Sequence, residues 1–222
     1  MYRNALTVLR SASLFMLCLA LVVSAAGMLG GCGSNDPSKE RSAKAVAGLR
    51  ETRDELAASR AQIDKTQAAL DRLQSAQGDL AWSYNAYKDE VKATEDRAKS
   101  AATQAMDMQA RGSEYQAKWA QEVSQVSDPT LRATAQQRAA KVQGRYVMIS
   151  AKAQTAQAAY QPYIRDLKDV QTFLSMDLTP AGIQTAGPVF QKARTDGQVL
   201  RQKIDDLSAE LDSVASQLAP AK

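Results

Sequence analysis

The chain has 222 residues and a net charge of +4, from 28 basic and 24 acidic residues, so it lacks the strong positive field typical of nucleic-acid-binding proteins. It contains no histidine, which removes the commonest general base and metal ligand, and only two cysteines. Forty alanines and 21 glutamines favour helices over strands, and the mean hydropathy of −0.37 argues against a protein that crosses the membrane many times.

The first 31 residues have a basic region followed by an apolar region, which is typical of a targeting segment. Residues 1–11 carry Arg3 and Arg10 and no acid, and residues 12–29 are uncharged and mostly apolar. Three interpretations are open: an ordinary signal peptide cut near residues 24–26, an uncleaved anchor of nearly the roughly 20 residues that span a bilayer, or a lipoprotein signal.

The lipoprotein interpretation is favoured by the end of the apolar run, which reads Leu29-Gly30-Gly31-Cys32. An apolar residue, two small residues and cysteine look like a bacterial lipobox, whose thiol receives a diacylglyceryl group before the peptide is cut. The sequence therefore predicts a signal peptide over 1–31 and lipidation of Cys32, which attaches the chain to a membrane. Because Cys18 leaves with the signal, neither an internal disulfide nor a cysteine metal site is expected.

Resemblance to lipoproteins of Gram-negative bacteria adds an expectation about the destination. In those proteins an aspartate after the lipidated cysteine favours the inner membrane, whereas this chain has Gly33. The resemblance implies the outer membrane, facing the periplasm. Residues 32–42 are polar after Cys32 and predict a flexible tether, so the remaining 43–222 are assigned to one helical domain.

The helical domain begins with a seven-residue repeat over residues 43–76. Large apolar residues recur at Leu49, Leu56, Ile63 and Leu70, which is typical of a helix with a narrow apolar seam. Gln77-Gly78-Asp79 then interrupts the pattern, and Asp79 is a suitable cap for the next helix.

Two longer patterns follow, over residues 80–126 and 130–177. Asp128-Pro129 separates them as a cap and first helical residue. The third pattern contains the apolar positions Leu131, Val142, Tyr146, Ile149, Ala153, Ala156, Tyr160, Ile164, Leu167, Val170 and Leu174. Pro162 lies inside it and predicts a kink.

The last pattern, over residues 189–218, has the most regular seam. Before it, Thr179-Pro180 is another pair of cap and first helical residue, and Gly187-Pro188 is a further break. Its seam residues are Phe190, Ala193, Gly197, Leu200, Ile204, Leu207, Leu211, Val214 and Leu218. Short turns imply antiparallel neighbours. The fold expected is all-α, an elongated antiparallel bundle or coiled coil of about four helices, with self-association through the coiled-coil faces as a further option.

Several segments resemble a family of bacterial lipoproteins known only as a domain of unknown function, DUF2959. The matching pieces are WAQEVSQVSDPTLRATAQQR (Trp119–Arg138), Arg145-Tyr146, QPYIRDLKDVQTFLSMDLTPAGI (Gln161–Ile183) and, more loosely, Asp79–Ser100. The family typically has Leu-Asn near positions where this chain has Met176-Asp177-Leu178-Thr179. The resemblance implies a helical lipoprotein and no particular activity.

Catalytic chemistry is hard to find in the sequence. Asp166 and Asp169 are close enough to share a helix face, but no nucleophile motif or glycine-rich phosphate loop accompanies them. We therefore expect no enzyme activity, no catalytic residues, no cofactor and no metal. The best candidate contact surface is Tyr160, Pro162 and Tyr163, because a kinked helix exposes backbone carbonyls.

These observations favour a non-enzymatic scaffold or spacer in the cell envelope, which contacts envelope proteins that the sequence does not identify and no nucleic acid. The alternative is a ligand-binding or envelope-stress accessory module that uses the aromatic surface near Pro162. The C-terminal Lys222 leaves open a link to peptidoglycan, as in the murein lipoprotein.

Overall fold

Residues 37–219, which the computed structural model describes, form five α-helices and no strand. The helices are α1 (Pro37–Ser75), α2 (Leu80–Ser124), α3 (Pro129–Met176), α4 (Pro180–Thr185) and α5 (Gly187–Leu218). The all-α prediction is confirmed.

The predicted caps begin three of these helices. The carboxylate oxygen Oδ1 of Asp79 accepts a hydrogen bond from the backbone N–H of Trp82 at 2.9 Å, and that of Asp128 accepts from Leu131 at 2.8 Å. The hydroxyl of Thr179 accepts from the N–H of Gly182 at 3.0 Å. Each cap satisfies a backbone donor that has no partner within the helix.

Two boundaries differ from the sequence prediction. Helix α1 already begins at Pro37, so residues 37–42 belong to the helix and not to the tether predicted over 32–42. Proline is common at a first helical position. Glu40 places a carboxylate in the first turn, where its negative charge interacts favourably with the helix dipole and stabilises the helix. The single-turn helix α4 was not predicted and raises the count within residues 37–219 from four to five.

Helix α1 runs antiparallel to both α2 and α5. The hydroxyls of Thr66 and Thr94 are hydrogen-bonded at 2.8 Å, whereas the earlier Glu55 of α1 pairs with the later Arg97 of α2. On the other side of α1, the guanidinium of Arg60 lies 2.9 Å from the carboxylate of Asp205 in α5.

Helix α3 closes a ring of contacts by packing against α2 and α5. Tyr87 of α2 donates a hydrogen bond to the carbonyl of Leu167 at 2.6 Å, and Arg145 pairs with Glu210 of α5 at 3.1 Å. Within residues 37–219, the backbone of α1 does not come close to that of α3, and the backbone of α2 does not come close to that of α5. The core therefore lies between the four long helices, each of which contacts two antiparallel neighbours.

Most of the predicted seam residues are in this core. Leu49, Leu56, Ile63 and Leu70 of α1 are buried, and so are all nine seam residues predicted for α5. Burial of a leucine or isoleucine side chain contributes about 1.5–3 kcal/mol, so the seams are a main source of stability.

Leu131 is an exception, because its side chain is 64% exposed although it was placed on the apolar face of the third helix. Helix α5 ends at Leu218, only eight residues beyond Glu210, which contacts Arg145. An antiparallel neighbour of that length no longer covers α3 near Leu131.

Candidate functional site

The predicted attachment site lies outside the described residues. Cys32, the signal segment 1–31 and Lys222 all fall in this category, and their roles stay predictions. None of the helices within residues 37–219 is sufficiently long and apolar to cross a bilayer.

The second predicted site, around Pro162, is mostly interior. Helix α3 continues through Pro162, and both Pro162 and Tyr160 are partly buried. Tyr163 is completely buried. The expectation that Tyr163 belongs to an exposed contact surface is therefore wrong, and the three residues do not form one accessible patch.

Tyr163 is buried because it packs against a glycine of α5. A Cβ added at Gly197 would lie 3.0 Å from Cε2 of Tyr163 and would overlap the amide of Gln67. That amide donates a hydrogen bond to the carbonyl of Arg194 at 3.2 Å. Gly197 thus provides space for side chains from both α3 and α1, which no periodicity within α3 alone can reveal.

Two tyrosines of α2 connect that helix to the same part of α3. Tyr84 donates a hydrogen bond to the carbonyl of Gln171 at 2.8 Å, and Tyr87 donates to that of Leu167 at 2.6 Å. The hydroxyl of Tyr163, in contrast, is buried without a hydrogen-bond partner. These side chains are structural contacts between helices.

The phenols near Pro162 are poorly suited to acid–base chemistry at neutral pH. Burial raises the pKa of Tyr160 to about 12, and the neighbouring carboxylate of Glu95 contributes to the shift. Burial also raises the pKa values of Tyr87 and Tyr163. All three side chains stay protonated at neutral pH, so they are not general bases.

A similar tyrosine–glycine contact lies nearer the start of α3. The ring of Tyr146 packs over Gly112 of α2, where a Cβ would lie 2.7 Å from its Cζ and closer to Cε1. Beside it, the rings of Tyr115 and Trp119 meet edge to face, with centroids 5.5 Å apart, and the guanidinium of Arg41 lies 5.7 Å from the Tyr115 centroid. These aromatic residues are part of the packing between helices α1, α2 and α3.

The carboxylates considered for catalysis are separated by their environments. Asp166 is buried and pairs with Lys192 of α5, whereas Asp169 is exposed. Asp205, a further acid of α5, pairs with Arg60 of α1. Within residues 37–219, no three potential metal ligands lie together. The arrangement of these acids is that of ion pairs between helices.

The structure adds one feature that the sequence analysis missed, a series of ion pairs between α1 and α5. Its four members are Arg53–Asp212 at 3.5 Å, Arg60–Asp205 at 2.9 Å, Asp64–Arg201, and Asp71–Arg194 at 2.6 Å. The arginines belong to α1 in the first two pairs and to α5 in the last two. We call these four pairs the α1–α5 ladder.

The ladder has a signal in the sequence. Its like-charged members are always seven residues apart, at 53 and 60, 64 and 71, 194 and 201, and 205 and 212. Each helix therefore reads two arginines followed by two aspartates. Opposite charges meet only when the two helices are antiparallel, and a parallel pairing would place like charges together.

A recess of about 390 Å³ lies between α1 and the end of α2, open to solvent. Its walls include Arg41, Lys118, Glu114 and Glu122. Arg41 pairs with Glu122, and Lys118 pairs with Glu114. Because these charges neutralise one another, the recess offers no concentrated charge to a ligand.

The comparisons with known proteins agree with the resemblance seen in the sequence. No curated protein and no solved structure matches the chain. The family described as "Protein of unknown function (DUF2959)" matches residues 39–218, which include nearly all of the five helices. The chain therefore belongs to this family.

Proposed function

We propose that the protein is a lipoprotein held in the outer membrane through acyl chains on Cys32, with an elongated helical bundle in the periplasm that acts as a non-enzymatic spacer or protein-interaction scaffold. The lipobox-like stretch at Leu29–Cys32 supports the anchor, and Gly33 supports the outer membrane as its destination.

The α1–α5 ladder is the observation that favours a scaffold most strongly. Its charged side chains are paired between helices and do not converge on a pocket. The Thr66–Thr94 hydrogen bond uses polar groups between α1 and α2 in the same way. Polar residues used like this specify one arrangement of helices, which is what a spacer requires.

The length of the helices supports a role as a spacer that extends away from the membrane. Helices α2 and α3 have 45 and 48 residues, which corresponds to about 70 Å at 1.5 Å per residue. With an anchor only five residues before Pro37, one end of such a bundle stays near the membrane and the other extends from it.

The alternative of a ligand-binding or envelope-stress accessory module near Pro162 has less support. It depended on three accessible side chains, and Tyr163 is in the core. Tyr160 and Pro162 are partly buried, and the carboxylate of Glu95 beside Tyr160 already pairs with Lys168.

A crosslinking experiment tests the scaffold. Trp82 and Met176 are 61% and 75% exposed, and they lie at the end of the helices opposite Pro37. A photo-crosslinking amino acid at position 82 or 176 in living cells should give a discrete adduct that the same group at exposed Lys65 does not give. An adduct with a second copy of the chain would identify self-association. If neither position 82 nor position 176 gives a crosslinked adduct, the result would contradict the scaffold.

A further inference from the structure

Helix α3 has an unusual separation of charge. From Pro129 to Arg165 the chain contains six basic residues and no aspartate or glutamate. The six are Arg132, Arg138, Lys141, Arg145, Lys152 and Arg165. Arg165 pairs with the adjacent Asp166 at 3.6 Å, whereas any carboxylate that pairs with the other five must come from another helix or from another molecule.

Four of these cations share one face of the helix. Leu131, Arg138, Arg145 and Lys152 recur at intervals of seven, and Thr134, Lys141 and Met148 form a second row at the same interval. The two rows are three or four residues apart, so all seven residues lie within an arc of about 100°. We call this set the α3 stripe.

Helix α5 neutralises only the later part of the α3 stripe. The buried carboxylate of Glu210 pairs with Arg145 at 3.1 Å and with Lys152 at 3.5 Å. Beyond Glu210, the remaining acid of α5 is Asp212, which pairs with Arg53 of α1. Residues 213–218 contain no acid, so α5 supplies no carboxylate to Arg138 or Lys141.

The neighbouring acids of α2 are also engaged. Glu114 pairs with Lys118, and Glu122 pairs with Arg41. Arg138 and Lys141 are both exposed, and neither forms an ion pair with any carboxylate of residues 37–219. The early part of the α3 stripe therefore presents two cations and the exposed apolar side chain of Leu131 to solvent.

This uncovered part lies at the anchored end of the helices. The ion pair between Arg41 and Glu122 brings the first turns of α1 next to the last turns of α2, and α3 starts at Pro129, five residues after α2 ends at Ser124. Cys32 precedes Pro37 by five residues, which span at most about 18 Å when fully extended.

We propose that the uncovered part of the α3 stripe, formed by Leu131, Arg138 and Lys141, binds anionic lipid head groups in the membrane that holds Cys32. This inference rests on the lipid anchor proposed above. Both an anionic lipid surface and an acidic protein could bind the two unneutralised cations. The neighbouring leucine favours the lipid surface, because a leucine side chain can enter the boundary between head groups and acyl chains. Attraction of each cation to an anionic surface strengthens binding about fivefold.

The test uses the full chain, processed and acylated in cells and then reconstituted into vesicles. A fluorophore is attached to a cysteine introduced on the α3 stripe by Thr134→Cys. This cysteine can be labelled selectively, because Cys18 leaves with the signal and the sulfur of Cys32 carries the lipid. Quenching by a spin label on lipid head groups reports contact. Quenching should be about fivefold or more stronger with about 30% phosphatidylglycerol than with phosphatidylcholine alone, and should disappear in high salt.

Matched variants separate the stripe from a general charge effect. Arg138→Gln/Lys141→Gln should reduce quenching to nearly the phosphatidylcholine value, whereas Lys65→Gln/Lys92→Gln, which removes two exposed cations elsewhere, should leave it unchanged. A fluorophore on Gln136→Cys, about 200° further around α3, should be quenched weakly.

Equal quenching on the two vesicle types, or no effect of Arg138→Gln/Lys141→Gln, would overturn the proposal. Binding of the labelled face to soluble polyglutamate but not to anionic vesicles would overturn it in favour of an acidic protein partner. The acylated Cys32 is present in both vesicle types, so a difference in quenching between them does not come from the anchor. Fatty-acid labelling of Cys32 tests the proposed anchor in a separate experiment.

Discussion

The ring of Tyr146 in α3 lies directly over Gly112 in α2, at a distance that leaves no room for a Cβ. This close approach joins α2 and α3 where their other buried contacts are few, since residues 95–107 of α2 include no buried side chain. A glycine in mid-helix costs about 1 kcal/mol of helix propensity, so its presence at this position is explained by packing.

Gly112→Ala should therefore destabilise the protein by about 1–3 kcal/mol, because the tyrosine ring or the helix must move. Gly144→Ala is the matched control in α3, where an added Cβ meets nothing within 4 Å. It should stabilise by about 0.5–1 kcal/mol through helix propensity. Urea unfolding followed by circular dichroism measures both, and equal effects of the two variants would contradict the packing explanation.

Removing the hydroxyl of Tyr163 should not lower stability, because that hydroxyl is buried without a hydrogen-bond partner. Tyr87→Phe is the control, since it loses the 2.6 Å hydrogen bond to the carbonyl of Leu167. We expect Tyr163→Phe to be neutral or stabilising and Tyr87→Phe to cost about 1 kcal/mol. The opposite order of midpoints in urea unfolding would refute this assignment.

The α1–α5 ladder should show coupling between its partners. Asp64→Arg alone and Arg201→Asp alone each create a like-charge contact and should destabilise, whereas the double variant should recover most of the loss. Because both side chains are partly exposed, we expect a coupling of about 0.5 kcal/mol. A cycle of thermal unfolding experiments in low and high salt measures it, and strict additivity of the single effects would argue against the pair.

Alkaline pH should destabilise the fold through its tyrosines. Burial raises the pKa values of Tyr146 and Tyr160 to about 12 from the ordinary value of 10. Between these values the unfolded chain binds fewer protons than the folded one, so stability is complete below pH 10 and falls as the pH rises to 12. Urea midpoints measured across this range should decrease, and Tyr146→Phe/Tyr160→Phe should decrease less steeply.

Much of the fold was predictable because its signals are local. Asp79 and Asp128 cap helices where the sequence placed helix starts, Thr179 caps the short helix α4 that the sequence did not predict as a separate helix, and the regular seam of α5 is entirely buried. The start of α1 at Pro37 was missed because the polar composition of residues 33–42 is equally typical of a linker.

The candidate site was less predictable because it depends on contacts between helices. Tyr163 packs closely against Gly197 of α5, and Leu131 lies in a part of α3 that α5, which ends at Leu218, does not reach. The α1–α5 ladder could have been found from the intervals of seven between its arginines and aspartates. Periodicity of charged residues is as informative here as periodicity of apolar ones.

Attachment through Cys32 is the central claim, and fatty-acid labelling tests it most directly. Cells that express the wild-type chain, Cys18→Ser or Cys32→Ser are grown with radioactive palmitate, and the purified protein is examined for label and for sedimentation with membranes. The wild-type and Cys18→Ser chains should be labelled and membrane-bound, and Cys32→Ser should lose the label. A Cys32→Ser chain that is labelled as strongly as the wild type would contradict the lipoprotein assignment.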